Sequence, residues 1–410
     1  MRSSKSSAGL AAAVVVVALN LRLVIASLGP ELDRVRASLG LSSTATSVLT
    51  ALPVFCFGVV ALAGPWLSHR LGLRRAMLLV LVAVLAGTVL RIGPDAFTLF
   101  AGTLLATSGI AVANVLMPVI ARREFPTRTG LMLGLSTAAT LGSVAAAAGL
   151  TVPLANVLGV GWRGGLGIWA ALTGLTLLVW LPFALQEHEP EAGKAPSLSR
   201  AALRSPLAWM ITWFFGLQSL NVYVVVNWLP SIYSDHGYSH SAAGGLLALN
   251  VLVQLPVAVV VPLIASRTAR QHLFVLGVIA CSTIAFLGML LSPTKPAVLW
   301  VIVLGLGQGA AFPLCLTFLV LRARSSAETA QLSTMMQAVG YVIAGIGPLV
   351  FGALHAATNS WHGPLIFLLS LLVPQLYVGL RAASPGYVEL GSQSDVELRS
   401  QSDVELRSQI

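Results

Sequence analysis

Residues 9–28 read GLAAAVVVVALNLRLVIASL, and this run decides what kind of protein the chain is. It has the length, about 20 mostly apolar residues, that an α-helix needs to cross a bilayer. Yet Asn20 and Arg22 sit near its middle, just before Gly29-Pro30. An arginine at bilayer depth costs about 2.5–3.5 kcal/mol on insertion scales, so it normally faces a bundle interior or a wet cavity. The run follows a basic start, Arg2 and Lys5, as a signal peptide would. It is too long for one, and no small-x-small cleavage site precedes the polar turn, so a retained first helix is expected.

The rest of the chain repeats this character. Of 410 residues, 56% are hydrophobic and 9% charged, against about 25% charged in a soluble domain. An integral membrane protein follows, with lipid as its surroundings. The net charge of +10 does not point to nucleic acid, because the basic residues fall between apolar runs, as membrane topology requires. Cys56, Cys281 and Cys315 lie inside apolar runs without metal spacing or a pairing pattern, and read as small buried hydrophobes.

Twelve runs reach spanning length, at roughly 9–28, 44–67, 76–93, 96–120, 130–152, 164–184, 207–231, 242–265, 272–292, 297–321, 329–353 and 362–380. An even number puts both termini on one side. That side, counted loop by loop, carries 18 Lys and Arg, against 5 on the other (Arg34, Arg36, Arg91, Arg163 and Lys295), with Arg22 between them. The positive-inside rule then places both termini in the cytoplasm of a multi-pass protein of the cell (cytoplasmic) membrane.

The polar connection at 186–205, with Pro190 and Pro196, divides the chain into bundles at 1–185 and 206–383. Beyond them, 384–410 is a polar cytoplasmic tail holding SQSDVELR twice in succession, Ser392–Arg399 and Ser400–Arg407. Its low apolar content reads as a disordered extension. The halves echo each other: the fourth run into the fifth, and the tenth into the eleventh, both pass from a Gly-rich start through a proline to an arginine loop and a small-residue helix. The first run is expected to end at Pro30 and the seventh at Pro230. The fold class expected is an all-α membrane protein of twelve transmembrane helices in two pseudo-symmetric six-helix bundles. Such repeats mark secondary transporters, whose sites lie at the midplane between the halves.

A membrane hydrolase needs a nucleophile with a base, or metal ligands, on facing helices. No Asp or Glu lies well inside any run; Glu31, Asp33, Glu124 and Glu328 fall at or beyond helix ends, and the histidines lie at edges. No catalytic residue, metal site or cofactor is expected. Neutral polar residues do recur at mid-helix depth. Gln218 and Asn221 share one helix face, as do Asn250 and Gln254, and Ser333, Gln337 and Tyr341 form one stripe. Asn114 and Gln308 join them from the fourth and tenth runs, and Tyr223 points well round its helix from Gln218. Each alone also reads as a bond between helices, worth about 0.6 kcal/mol. Asn20 and Arg22 are about 200° apart on an ideal helix. Arg22 is therefore expected to face the ligand and Asn20 to make a helix–helix bond. A buried cation needs an anion or acceptors, and the runs offer it no fixed carboxylate. A small anionic or strongly polar solute is the expected partner, held by charge-assisted hydrogen bonds, with backbone carbonyls or Glu31 as the competing partners.

The loop PWLSHRLGLRR, 65–75, partly matches the G-x-L-A-D-R-x-G-R-R pattern between helices two and three of the major facilitator superfamily. Arg70, Gly72 and Arg74 fall on its arginine, second glycine and last basic position, while His69 replaces the aspartate and Pro65 the first glycine. These four, His69, Arg70, Gly72 and Arg74, are the candidates for a cytoplasmic gate. Other stretches resemble one branch of that superfamily, the cyanate porter/2-nitroimidazole porter family. They are LNLR (Leu19–Arg22) with Gly29-Pro30, NVLMPVIARREFPTRTGLMLGL (Asn114–Leu135), GWR (Gly161–Arg163) with Trp169, and GLQSLNVYVVVNWLP (Gly216–Pro230). The resemblance implies the two-bundle fold and secondary transport of small solutes, anions among them. Gly142 is followed by Ser143, where the superfamily's antiporter motif has Gly-Pro, which speaks against a drug/proton exchanger.

The function expected is secondary active transport of a small anionic or polar solute by alternating access. Arg22 reads the anion, and Asn114, Gln218, Asn221, Asn250, Gln254, Gln308, Gln337 and Tyr341 supply neutral hydrogen bonds. Phe55 and Phe57 are candidate apolar walls. Proton coupling stays open, through Glu31, Asp33, His69 or a protonated substrate. An exporter of lipophilic drugs, a channel and a non-transporting sensor remain as alternatives.

Overall fold

The computed structural model describes residues 4–186 and 200–388. Most of the 186–205 linker and the repeats of the tail lie outside the described residues. Twelve of the described helices are long and apolar enough to cross a membrane. They are α1 (Ser4–Ala26), α2 (Ser43–Val59, carried by a 3₁₀ turn into Gly64–Leu71), α3 (Leu73–Leu90), α4 (Ala96–Glu124), α5 (Thr129–Leu158), α6 (Gly161–Leu185), α7 (Pro206–Asp235), α8 (His240–Ala265), α9 (His272–Leu291), α10 (Ala297–Leu321), α11 (Ser326–Thr358) and α12 (His362–Ala383). Large apolar side chains such as Phe97, Leu178, Leu349 and Val373 are exposed on outer faces, as the lipid-facing side of a bundle requires. An all-helical, two-bundle membrane fold is what the twelve runs predicted.

Two helix ends differ from expectation. After a turn at Ser27 the chain is helical again over Leu28–Leu39, so Pro30 does not end the first span. Pro30 falls in the first turn of the new helix, where a missing N–H has no partner to lose. Pro230 lies inside α7, which runs on to Asp235. Prolines stay inside membrane helices because neighbouring helices re-satisfy the freed carbonyls. The turn between α2 and α3 rests on Gly72, whose φ of 83° is a conformation side chains with a Cβ rarely adopt.

The halves meet most closely at the end that carries the chain's first helical residues. There α5 lies directly on α8: a Cβ added to Gly134 would sit 2.9 Å from both Cα and carbonyl oxygen of Val259. Toward the opposite end, Gly142 and Gly149 of α5 and Gly244 and Gly245 of α8 have nothing within 4 Å of an added Cβ. The Arg122 guanidinium donates to the Val320 carbonyl across the same seam, and Ser333 Oγ to the Val115 carbonyl at 3.3 Å. The bundle is therefore closed at the terminal end.

Gly134→Leu is expected to pry that end open, because the added side chain meets α8 backbone rather than a movable side chain. Spin labels at the exposed positions Arg123 and Arg270 should then report a longer distance. An unchanged distance distribution would show that the α5–α8 seam does not set the state.

Candidate functional site

α1 presents its two polar residues to different neighbours. Asn20 faces α6: its Nδ2 donates to Thr176 Oγ1 at 2.7 Å, and Thr173 Oγ1 donates back to its Oδ1 at 2.8 Å. With a further bond from Nδ2 to the Val16 carbonyl at 3.0 Å, both amide N–H groups and the oxygen are bonded inside the first half. Asn20→Val should therefore lower stability by about 0.6–1.7 kcal/mol, the range for such bonds, and leave solute affinity unchanged. A matching loss of affinity in a binding titration would overturn that separation.

Arg22 points the other way, toward the second half. Its Nη2 donates to Tyr341 Oη at 3.3 Å, Tyr223 is a second phenol near it, and its guanidinium lies over the Phe57 ring at 4.9 Å. The Phe57 ring stands 4.9 Å from that of Tyr341, which meets Phe215 edge-on at 5.2 Å. Aromatic rings and phenol hydroxyls thus hold the charge without cancelling it. Glu31, fully buried in the helix after α1, accepts from Arg34 instead, at 3.4 Å. Among the described residues no carboxylate pairs with Arg22.

Arg22 opens on a cavity of about 40 Å³ between the halves, lined from α4 by Asn114, from α5 by Ser136, Thr137 and Thr140, and from α11 by Gln337. Two of these groups, Asn114 Nδ2 and Ser136 Oγ, are buried with no hydrogen-bond partner in the structure. A buried donor left unpaired costs about 1–3 kcal/mol, so such groups mark a place where a ligand completes the bonding. The guanidinium and these two unpaired groups thus share the wall of one cavity.

The structure brings Arg22, Asn114, Gln337 and Tyr341 together and places the other candidates elsewhere. Asn221 Nδ2 donates to Gln375 Oε1 on α12 at 3.0 Å, and Gln218 Nε2 to Ser219 Oγ at 2.6 Å. Gln254 Nε2 donates to Asn250 Oδ1 at 2.8 Å, while Asn250 Nδ2 donates to the Val301 carbonyl on α10. Gly305 and Gly309 bring the α10 backbone tight against this face of α8. Gln308 is buried with its Nε2 unpaired and does not line the cavity. Phe57 is the wall beneath Arg22, whereas Phe55 is exposed on the outer surface. The expected 65–75 loop is helical on both sides of Gly72: Arg70 stacks over Trp66 at 5.7 Å, His69 is half-buried, and Arg74 is buried in a bidentate pair with Glu124. None of these lines the central cavity. Sequence reasoning missed Ser136, though its spacing from Thr140 and Ser143 is a helical polar stripe in an otherwise small, apolar helix. It undervalued Tyr223, whose phenol at bilayer depth needs a polar partner.

Two homologous-looking bundles around a buried polar cavity define the secondary-carrier class of membrane protein. The match to the Major Facilitator Superfamily extends over residues 10–348. The chain is 35% identical over 376 residues to the 2-nitroimidazole transporter of Escherichia coli, covering 90% of this chain and 95% of that one. It is 31% identical over 378 residues to the cyanate transport protein CynX of the same species, covering 92% and 98%. The fold is shared with the E. coli fucose:proton symporter at a TM-score of 0.72 and 12% identity, over 92% of this chain and 98% of that one. The chain belongs to the major facilitator superfamily and, within it, to the cyanate porter/2-nitroimidazole porter family. It is a multi-pass membrane transporter.

Proposed function

We propose that the protein carries a small anion across the cytoplasmic membrane by alternating access, with Arg22 as its anion-binding group. The observation that carries this is an unneutralised guanidinium opening, with two unpaired donors, into a cavity walled by both halves. Gln337 on the second half and Asn114 and Ser136 on the first would meet the anion from opposite sides, with Tyr341 holding Arg22 in place. Rocking of bundles 1–185 and 206–383 about linker 186–205 would then alternate its exposure. A cavity of about 40 Å³ is far below the roughly 300–1,000 Å³ of drug-sized sites. It suits an anion of a few atoms, such as the cyanate in one relative's name, and argues against large lipophilic drugs. The loop charges favour cytoplasmic termini, so the closed end faces the cytoplasm. The test is counterflow in proteoliposomes with cyanate, nitrate and a neutral sugar. Saturable exchange of a small anion alone is expected; sugar exchange, or unsaturable flux of all three, would overturn the assignment.

A further inference from the structure

A second cavity, of about 490 Å³, lies at the closed terminal end and has no part in the central site. Its walls carry Arg122 and Arg128 from the first half and Arg267 and Arg324 from the second, with Ser325 and Tyr387. Among the described residues no Asp or Glu lines it. Among the described residues the neighbouring acids are engaged: Glu124 binds Arg74 at 2.6 Å, and Glu328 accepts from the Arg324 backbone N–H. Arg324 lies over the Tyr387 ring at 5.3 Å, and the residue after it, Val388, is pinned by its N–H to the Arg322 carbonyl. The first turns of α5 and α11 also border the cavity, and the positive ends of helix dipoles add to its potential.

We infer that this cavity is a second anion site, fitted to a multivalent oxyanion such as a phosphate group, and that an anion held there keeps the two halves closed at this end. Guanidinium groups bind phosphate through paired N–H···O bonds, which a planar fork makes and a point charge does not. Two arginines from each half line the cavity, Arg122 already donating across the seam to the Val320 carbonyl. Empty of anion, like charges oppose closure; with a dianion between them, the same charges draw the halves together. The central cavity, an order of magnitude smaller and served by a single arginine, suits a different and smaller ion. The ligand's phosphate comes either from solution or from a lipid headgroup, and the two sources are separable.

The experiment is calorimetric titration of the purified full-length chain with sodium phosphate at constant ionic strength, with chloride as control. Saturable binding is expected, weakened at least tenfold in R128Q/R267Q, partly restored in R128K/R267K, and retained in R22Q. Arg128 and Arg267 are exposed, so these variants should elute as the native chain does. Binding no stronger than chloride, or undiminished in R128Q/R267Q, would leave an adventitious ion only and overturn the site. Loss in R22Q would move the phosphate to the central cavity, with the same consequence. Binding seen only after the chain is cut behind Val388 would assign the cavity to the acidic tail repeats instead. Vesicles of phosphatidylcholine with and without phosphatidylglycerol identify the source: persistence of phosphate binding means a soluble ion, competition by the anionic lipid means a headgroup. With labels at Arg123 and Arg270, phosphate should narrow the distance distribution toward its short component; an unchanged distribution overturns the locking role.

Discussion

Arg22→Ala should abolish saturable anion exchange while leaving a folded, purifiable protein. A hydrogen bond to a charged group contributes about 1.5–3 kcal/mol, and each 1.4 kcal/mol is about tenfold. Loss of a two-pronged contact should therefore lower transport efficiency by about 100-fold or more. Stability should move little, because Arg22 has no carboxylate partner among the described residues whose charge would be stranded. Its contacts are one hydroxyl at 3.3 Å, a second phenol and the Phe57 face. The cation–π contact, about 0.5–2 kcal/mol, is set against the cost of keeping a guanidinium out of water. Arg22→Lys keeps the charge but not the fork, so an intermediate rate is expected. Counterflow and thermal unfolding measured on the same preparation settle it: exchange at full rate in Arg22→Ala would remove Arg22 from the site.

The sequence carried the fold well because hydrocarbon imposes it. Runs of spanning length, basic loops and an even helix count need no tertiary information. Which way each polar side chain points did need it. The separation of Asn20 from Arg22 was legible, since both sit on one helix at known angular spacing. The faces of α7 and α8 were not, because nothing local distinguishes a face toward the cavity from one toward a neighbouring helix. Asn221 turns to Gln375 and the Asn250–Gln254 pair to α10, where glycines admit the backbone. Tyr223 reaches Arg22 from a face that spacing alone set aside. The helical continuation past Pro30 was hidden for a related reason: a proline in the first turn of a new helix reads the same as one that ends the old.

The second large effect is expected at Arg74 and Glu124. Both side chains are almost fully buried, at 7% and 8% exposure, and joined by two parallel bonds of 3.2 and 2.6 Å. A third bond runs from Arg74 to the Phe183 carbonyl at 3.5 Å, and the Trp180 indole donates to the Arg74 carbonyl. The pair thus ties the start of α3 to the ends of α4 and α6. Removing one partner takes the bidentate counter-charge from the other in an almost fully buried site, and breaking such a pair typically costs about 3–5 kcal/mol. Glu124→Gln and Arg74→Met should each lower the unfolding midpoint markedly. Arg74→Met with Glu124→Leu should recover most of the loss, because apolar replacements of similar volume abolish the desolvation cost together with the attraction. The double variant also decides what the 65–75 segment does. With an aspartate position filled by His69, and Arg74 bonded to Glu124 and to the Phe183 carbonyl inside the first half, the basic end of this segment is expected to brace that half rather than latch it to the second. Exchange per folded molecule should then be unchanged in the double variant. A stable double variant with lost exchange would instead make the Arg74–Glu124 pair part of the gate.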